Sequence, residues 1–373
     1  MKVMNFLLKK EFRQIFRNRT LLPMIFAMPV IQLLILPLAA DYEMKNISIA
    51  VVDHDRSSYS QELLSQITSS GYFNLSGYSA SFADIFGLIE RDRADLILEI
   101  PHNFEQELIS AGQQKLFIAV NAINGVKANL GGAYLNRIIA DFNTDIRLEW
   151  LPSERFNAVS TIEVTSSNWF NPAMNYRYFM VPGILVLLVT LVATYMCALN
   201  AIREKETGTI EQINVTPVKK YQFILSKLIP FLVIGIFVFS IGLFVIARLC
   251  YGIVPLGSLW LLFGYLTIYL IAMLGFGLLI STYCQTQQQV MFVGFFFMMI
   301  FILMSGLFTP IDSMPSWAYA IAKCSPVSYF MEVIRMIILK GSEFSDVRNH
   351  LLRMIGFAAV FNVWAIVNYK KTM

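Results

Sequence analysis

The densest set of residues able to make specific polar contacts inside an apolar setting is 203–217, REKETGTIEQINVTP. Arg203, Glu204, Glu206 and Glu211 are ionic, and Thr209, Gln212 and Thr216 are hydrogen-bonding. None stands as a nucleophile beside a base or in a metal-ligand spacing, so the chemistry on offer is recognition: ion pairing, capping and docking. Gly208 interrupts a helix arriving from upstream, Thr209 with Gln212 three residues on fits a capping box, and Pro217 closes the segment. A helix of about two turns follows. Ile210 and Ile213 share one side while Glu211, Gln212 and Asn214 face elsewhere, the layout of a helix lying across a membrane surface.

Other candidates carry less. Asp53, His54 and Asp55 follow an expected strand and read as turn and capping residues rather than a metal or catalytic cluster. Gly131 and Gly132 lack the downstream Gly-Lys-Ser/Thr of a phosphate loop. Cys197, Cys250, Cys284 and Cys324 lie in or beside apolar runs without Cys-x-x-Cys spacing, so they read as small apolar residues. Glu332 and Arg335 stand three apart on one helix, a spacing for a structural ion pair.

The elements that must position these residues are membrane spans. Of 373 residues, 56% are hydrophobic and only 14% charged, which fits an α-helical polytopic membrane protein. The net charge of +4 does not point to nucleic acid. Six transmembrane helices are expected, near 21–40, 178–202, 228–247, 256–282, 290–309 and 353–369. The first twenty residues hold six Lys or Arg and one Glu, which places both termini in the cytoplasm. Within 1–20, Met4, Leu8, Phe12 and Ile15 form a stripe with Lys9, Lys10, Arg13 and Arg17 largely off it, a basic amphipathic helix for an anionic leaflet and its lipids. The 21–40 run reads as a retained anchor: it is long for a cleaved leader, and bulky Leu38 precedes Ala39-Ala40. Lys219, Lys220 and Lys227 add positive charge on the far side of the 203–217 loop.

Residues 41–172 hold nine Lys or Arg against seventeen Asp or Glu and form the one soluble-looking stretch. Strands at 47–52, 96–100 and 116–120 alternate with helices at 60–69, 82–91, 104–111 and 127–150, so an inserted α/β domain outside the cytoplasm is expected. Between Pro310 and Lys340, three prolines break an apolar stretch into two short re-entrant helices of the outer leaflet, 316–323 and 327–339.

Glu206, Gly208, Thr209, Glu211, Val215, Thr216 and Pro217 resemble the E-x-G-T-x-E-x-x-x-V-T-P loop of ABC-2 type exporter permeases. Residues 325–341 resemble the segment before the last span of that family. The runs IAVVDHDRSS and ADLILEIPHNFEQEL resemble the domain inserted after the first span in one branch of it. The resemblance implies a coupling helix docking on a separate ABC ATPase subunit, through Arg203, Glu204, Glu206, Gly208, Thr209, Glu211, Gln212, Val215, Thr216 and Pro217. It implies no catalytic centre or cofactor in this chain, with ATP bound by the partner, and a second permease subunit. In a bacterial inner membrane it also implies a periplasmic adaptor and an outer-membrane channel. Apart from resemblance, the spans carry almost none of the ionisable groups an ion-coupled transporter needs. Two other classes stay open at this point: a membrane-anchored sensor or adhesion protein with 41–172 as its head, and an ATP-independent lipid channel.

Overall fold

The computed structural model describes residues 2–19, 21–39, 47–123, 125–150, 170, 175–208 and 218–369. The chain divides into two compact units, Met1–Asp41 with Ser167–Met373, and Tyr42–Ser166.

The smaller unit is built on a four-stranded sheet of β1 (Ile47–Asp53), β2 (Phe73–Ser79), β3 (Leu96–Ile100) and β4 (Phe117–Val120). Its order is β2-β1-β3-β4, with β1 parallel to β2 and β3 and with β4 antiparallel to β3. The alternation of β1 and β3 makes two cores. Ile47, Ile49, Val51, Leu96, Leu98 and Ile100 pack under α3 (Ser58–Ser69), α5 (Phe104–Ala111) and α6 (Gly125–Trp150). Ala50, Val52 and Ile97 pack under α4 (Phe82–Glu90). β2 is an edge strand that the sequence pattern misses: only Phe73 is buried, and a register shift opposite Ile49 and Ala50 interrupts it.

Asp53 ends β1 and is buried. Its carboxylate accepts from the Asp55 and Arg56 amides at 3.0 and 2.9 Å and from the Ser60 and Tyr78 hydroxyls at 2.9 Å each. Burial works against the carboxylate, but the four donors outweigh it and hold the group below its ordinary pKa. The Asp-His-Asp run is thus a turn anchor, and the described residues contain no group of three or more His, Cys, Asp or Glu placed to hold a metal.

The larger unit starts with α1 (Lys2–Arg17) and α2 (Leu21–Ala39). It continues with α7 (Tyr176–Glu206), α8 (Lys220–Cys250), α9 (Leu259–Tyr283) and α10 (Gln287–Leu303). The short α11 (Ser316–Lys323) and α12 (Pro326–Lys340) precede α13 (Phe344–Asn368). Among the described residues five helices, α2, α7, α8, α9 and α13, are long and apolar enough to cross a bilayer. The expected fifth span, α10, is apolar but has only 17 residues, about 26 Å of helix against a hydrocarbon core of about 30 Å.

Inside this unit α7 and α9 form the centre. The apolar window of α7 is 83% buried and that of α13 only 11%, so α13 offers most of its surface to lipid. Close approach is needed where α9 crosses α7: a Cβ on Gly277 would stand 2.4 Å from the Thr194 carbonyl oxygen. Pro37 in α2 has no N–H to bond the Leu33 carbonyl. The Tyr251 hydroxyl takes over, 3.2 Å from Leu33 O and 2.7 Å from Leu34 O. Two π-helical turns interrupt the long helices, Val192–Met196 in α7 and Gly242–Cys250 in α8.

Candidate coupling site

The C-terminal end of α7 carries four consecutive charged residues, and each reaches a different place. Arg203 is half-buried and lines a cleft beside α1. Glu204 is 2% exposed, with Oε1 2.5 Å from Lys10 Nζ and 2.9 Å from Lys227 Nζ. Lys205 Nζ donates to the Cys284 carbonyl at 2.7 Å, in the turn between α9 and α10. Glu206 accepts from Gln287 Nε2 at 2.5 Å, at the start of α10. Then α7 stops: the Thr207 hydroxyl and amide both donate to Arg203 O, and Gly208 takes a left-handed φ of +70°, a conformation that favours glycine.

The helical period of α1 brings Leu7, Glu11 and Ile15 onto one buried stripe. This differs from the expected Met4, Leu8, Phe12 and Ile15 stripe, because α1 packs on α8 and α2 instead of lying on the surface alone. Glu11 is 1% exposed and accepts from Lys227 Nζ at 2.9 Å and from Asn200 Nδ2 at 3.0 Å. Lys10, Glu11, Glu204 and Lys227 therefore form one charge-balanced quartet tying α1, α7 and α8 together. Burial disfavours the Lys10 ammonium, yet the Glu204 and Glu11 carboxylates outweigh that and raise its pKa.

Two expectations are corrected here. The Glu204 carboxylate is turned into the protein, onto Lys10 and Lys227. Lys227 is 1% exposed, so it is a structural partner and adds no surface charge beside the loop. Glu332 and Arg335 do not pair. Arg335 leans toward α7, its guanidinium 3.6 Å from the Phe179 ring centroid and its Nη1 donating to Gly306 O at 3.1 Å. Gly183 lies beside it on α7, where a Cβ would meet Arg335 Nη2 at an ordinary contact distance of 3.4 Å. Glu332 turns the other way, its Oε2 3.5 Å from His350 Nδ1 on α13.

Of the expected coupling set, Arg203, Glu204, Glu206 and Gly208 are described, and the structure gathers them at the end of α7. Thr209, Glu211, Gln212, Val215, Thr216 and Pro217 lie outside the described residues. Sequence reasoning assigned no role to Glu11 or Asn200 and gave Lys10 and Lys227 only a surface one. Two signals for them were present: Glu11 is the one acid among the first twenty residues, and Lys227 falls on the same helical stripe as buried Phe231, Ile234 and Val238.

A second feature lies further along α7. Met24, Met28, Leu188, Met196, Met298 and Met299 wall a groove of about 360 Å³ between α2, α7 and α10, with Gln32 and Tyr195 as its polar members. Methionines adapt their shape to varied apolar ligands. The π turn of α7 contributes Val192, Tyr195 and Met196 to this wall.

The profile of the ABC-2 family transporter proteins matches residues 19–367. The chain belongs to this family. Among its relatives in Escherichia coli strain K12 is the probable multidrug ABC transporter permease YbhR, 29% identical over 365 residues, covering 98% of this chain and 97% of the relative. YbhS, named in the same way, is 25% identical over 342 residues, covering 89% and 87%. The inner membrane transport permease YhhJ is 22% identical over 327 residues, covering 87% and 85%. The ABC-2 membership thus extends over nearly the whole chain, α/β unit included.

Proposed function

We propose that this protein is the permease subunit of an ABC-2 exporter, working on an amphiphilic or hydrophobic substrate and driven by a separate ATPase subunit. The observation that carries the reading is the fan of Arg203, Glu204, Lys205 and Glu206 at the end of α7. A load on the loop that follows is passed at once to α1 and α8 through Glu204, to the α9–α10 turn through Lys205, and to α10 through Glu206. A short docking helix at 209–217 gripped by an ATPase would therefore move several spans together, a shift between two states set by the partner's differential affinity for them.

In this reading α10 completes a set of six spans, both termini and the 203–217 loop lie in the cytoplasm, and 41–172 stands on the opposite side of a bacterial inner membrane. The helices α11 and α12 sit in the outer leaflet. Two permease subunits work with two ATPase subunits, which bind the ATP, and the α/β domain serves a periplasmic adaptor leading to an outer-membrane channel. The methionine-walled groove supports the substrate class, as do the multidrug names of two relatives.

A pull-down tests the coupling. Wild-type protein is expected to retain its ATPase, and the Glu206→Lys, Glu211→Lys variant to lose it. Equal retention by both, or no ATPase in either sample, refutes the reading.

A further inference from the structure

The cleft that Arg203 lines has a volume of about 660 Å³, within the range of small-ligand sites. Its walls carry Lys9, Lys10, Arg13, Arg17 and Arg19 from α1 and the segment after it, facing Arg203 from α7. Lys10 is neutralised by Glu204 and Glu11. The other five cations have no carboxylate within ion-pair distance among the described residues. Like charges at i,i+4, as in the series Lys9, Arg13, Arg17, repel one another, and an anion in the cleft relieves that repulsion.

We infer that this cleft binds the phosphodiester headgroup of an anionic phospholipid. Phosphate is the chemistry that matches several guanidinium groups at once, since each offers a planar fork of donors. Lipid is the source that the rest of α1 favours. Phe12 and Phe16 stack on a side of the helix adjoining the cations, with Phe16 54% exposed, and Phe6 stands at the rim of the cleft with 73% exposed. An exposed apolar band beside a basic one is the layout of a helix embedded at a leaflet surface.

The site is preorganised. Leu7, Glu11 and Ile15 fix the roll of α1, and the buried quartet fixes α1 against α7, so the backbone positions that carry Lys9, Arg13, Arg17 and Arg203 are set before any lipid arrives. The same geometry ties occupancy to the coupling site, because Arg203 on one wall is next in sequence to Glu204, and Lys10 on the other wall is Glu204's partner. This inference stands on α1 and α7 alone and does not need the ATPase reading.

The test counts lipids retained by the purified full-length chain in native mass spectrometry, with phosphatidylglycerol and phosphatidylcholine offered together. The expected result is a preference of tenfold or more for phosphatidylglycerol that weakens as salt rises. The Arg13→Gln, Arg17→Gln, Arg203→Gln variant should retain the two lipids nearly equally, each cation being worth roughly fivefold at an anionic surface. A charge-matched control in the α/β unit, Arg91→Gln, Arg93→Gln, Lys115→Gln, should lose none. If the triple variant does not fold, Arg203→Gln alone must still lose several-fold. Equal retention of the two lipids, or an unchanged preference in the variants, overturns the proposal. Displacement of the lipid by inorganic phosphate at equal concentration overturns the lipid source and leaves a free-anion site. Loss of ATPase binding in the triple variant with lipid preference intact assigns the cations to a protein contact and also overturns it.

Discussion

Replacing Lys227 by alanine tests the buried quartet most directly. Lys227 Nζ lies 2.9 Å from both Glu11 Oε1 and Glu204 Oε1, and the three side chains are 1–3% exposed. With Lys227 present, two ammonium groups balance two carboxylates. Without it, Glu11 and Glu204 remain buried with Lys10 alone between them, 3.4 Å from one and 2.5 Å from the other. One carboxylate is left uncompensated in a low dielectric, a loss of about 3–5 kcal/mol. Reversible denaturant unfolding of the full-length protein in detergent micelles measures it. Lys220→Ala, which removes an exposed ammonium from the same helix, should stay within about 0.5 kcal/mol of wild type. Adding Glu11→Gln to Lys227→Met removes the stranded charge, so a double-mutant cycle should return a coupling of roughly 2 kcal/mol between the two positions. A loss below about 1 kcal/mol for Lys227→Ala, the size of an exposed pair, would refute the account of a buried network.

Two further outcomes follow from the packing and the turn anchor. Gly277→Ala places a methyl 2.4 Å from the Thr194 carbonyl and should destabilise by about 1–3 kcal/mol in a thermal melt, whereas Gly264→Ala on the same helix meets nothing within 4 Å and should not. The Asp53 carboxyl, depressed in the folded chain, contributes stability above its unfolded pKa, and that contribution is lost as pH falls through the folded value. Asp53→Asn should therefore be less stable than wild type at neutral pH, and the gap should close on acidification. A gap that stays constant in circular dichroism across the acid range sinks the explanation.

The legible parts of the sequence were those where one local rule decides the structure. Leu96–Ile100 and Phe104–Ala111 stand where a short apolar run and a following amphipathic pattern put them, because β3 is covered on both faces and α5 on one. β2 was hidden because an edge strand with Gly77, two serines and an asparagine follows neither alternation nor continuous burial. The end of α7 at Gly208 was readable from the glycine itself. The roles of Glu204 and Lys227 were not, since their partners Lys10 and Glu11 lie 194 and 216 residues away in sequence. Charge on a helix near a membrane reads as surface charge until the third dimension supplies its counterion. Glu332 and Arg335 mislead for a related reason: their spacing permits a contact, but the Phe179 ring on another helix and the Gly306 carbonyl hold Arg335 instead.

The π turn at Val192–Met196 changes what kind of shaft α7 is. Such a turn winds in one residue more than its α-helical counterpart, which offsets everything beyond it by about 100° around the axis. The ion-paired face at Glu204 and the groove face at Leu188 therefore keep an angular register that an uninterrupted α-helix would not give them. Tyr195, inside the turn, ties that register to α10, its hydroxyl donating to the Met291 carbonyl at 2.7 Å.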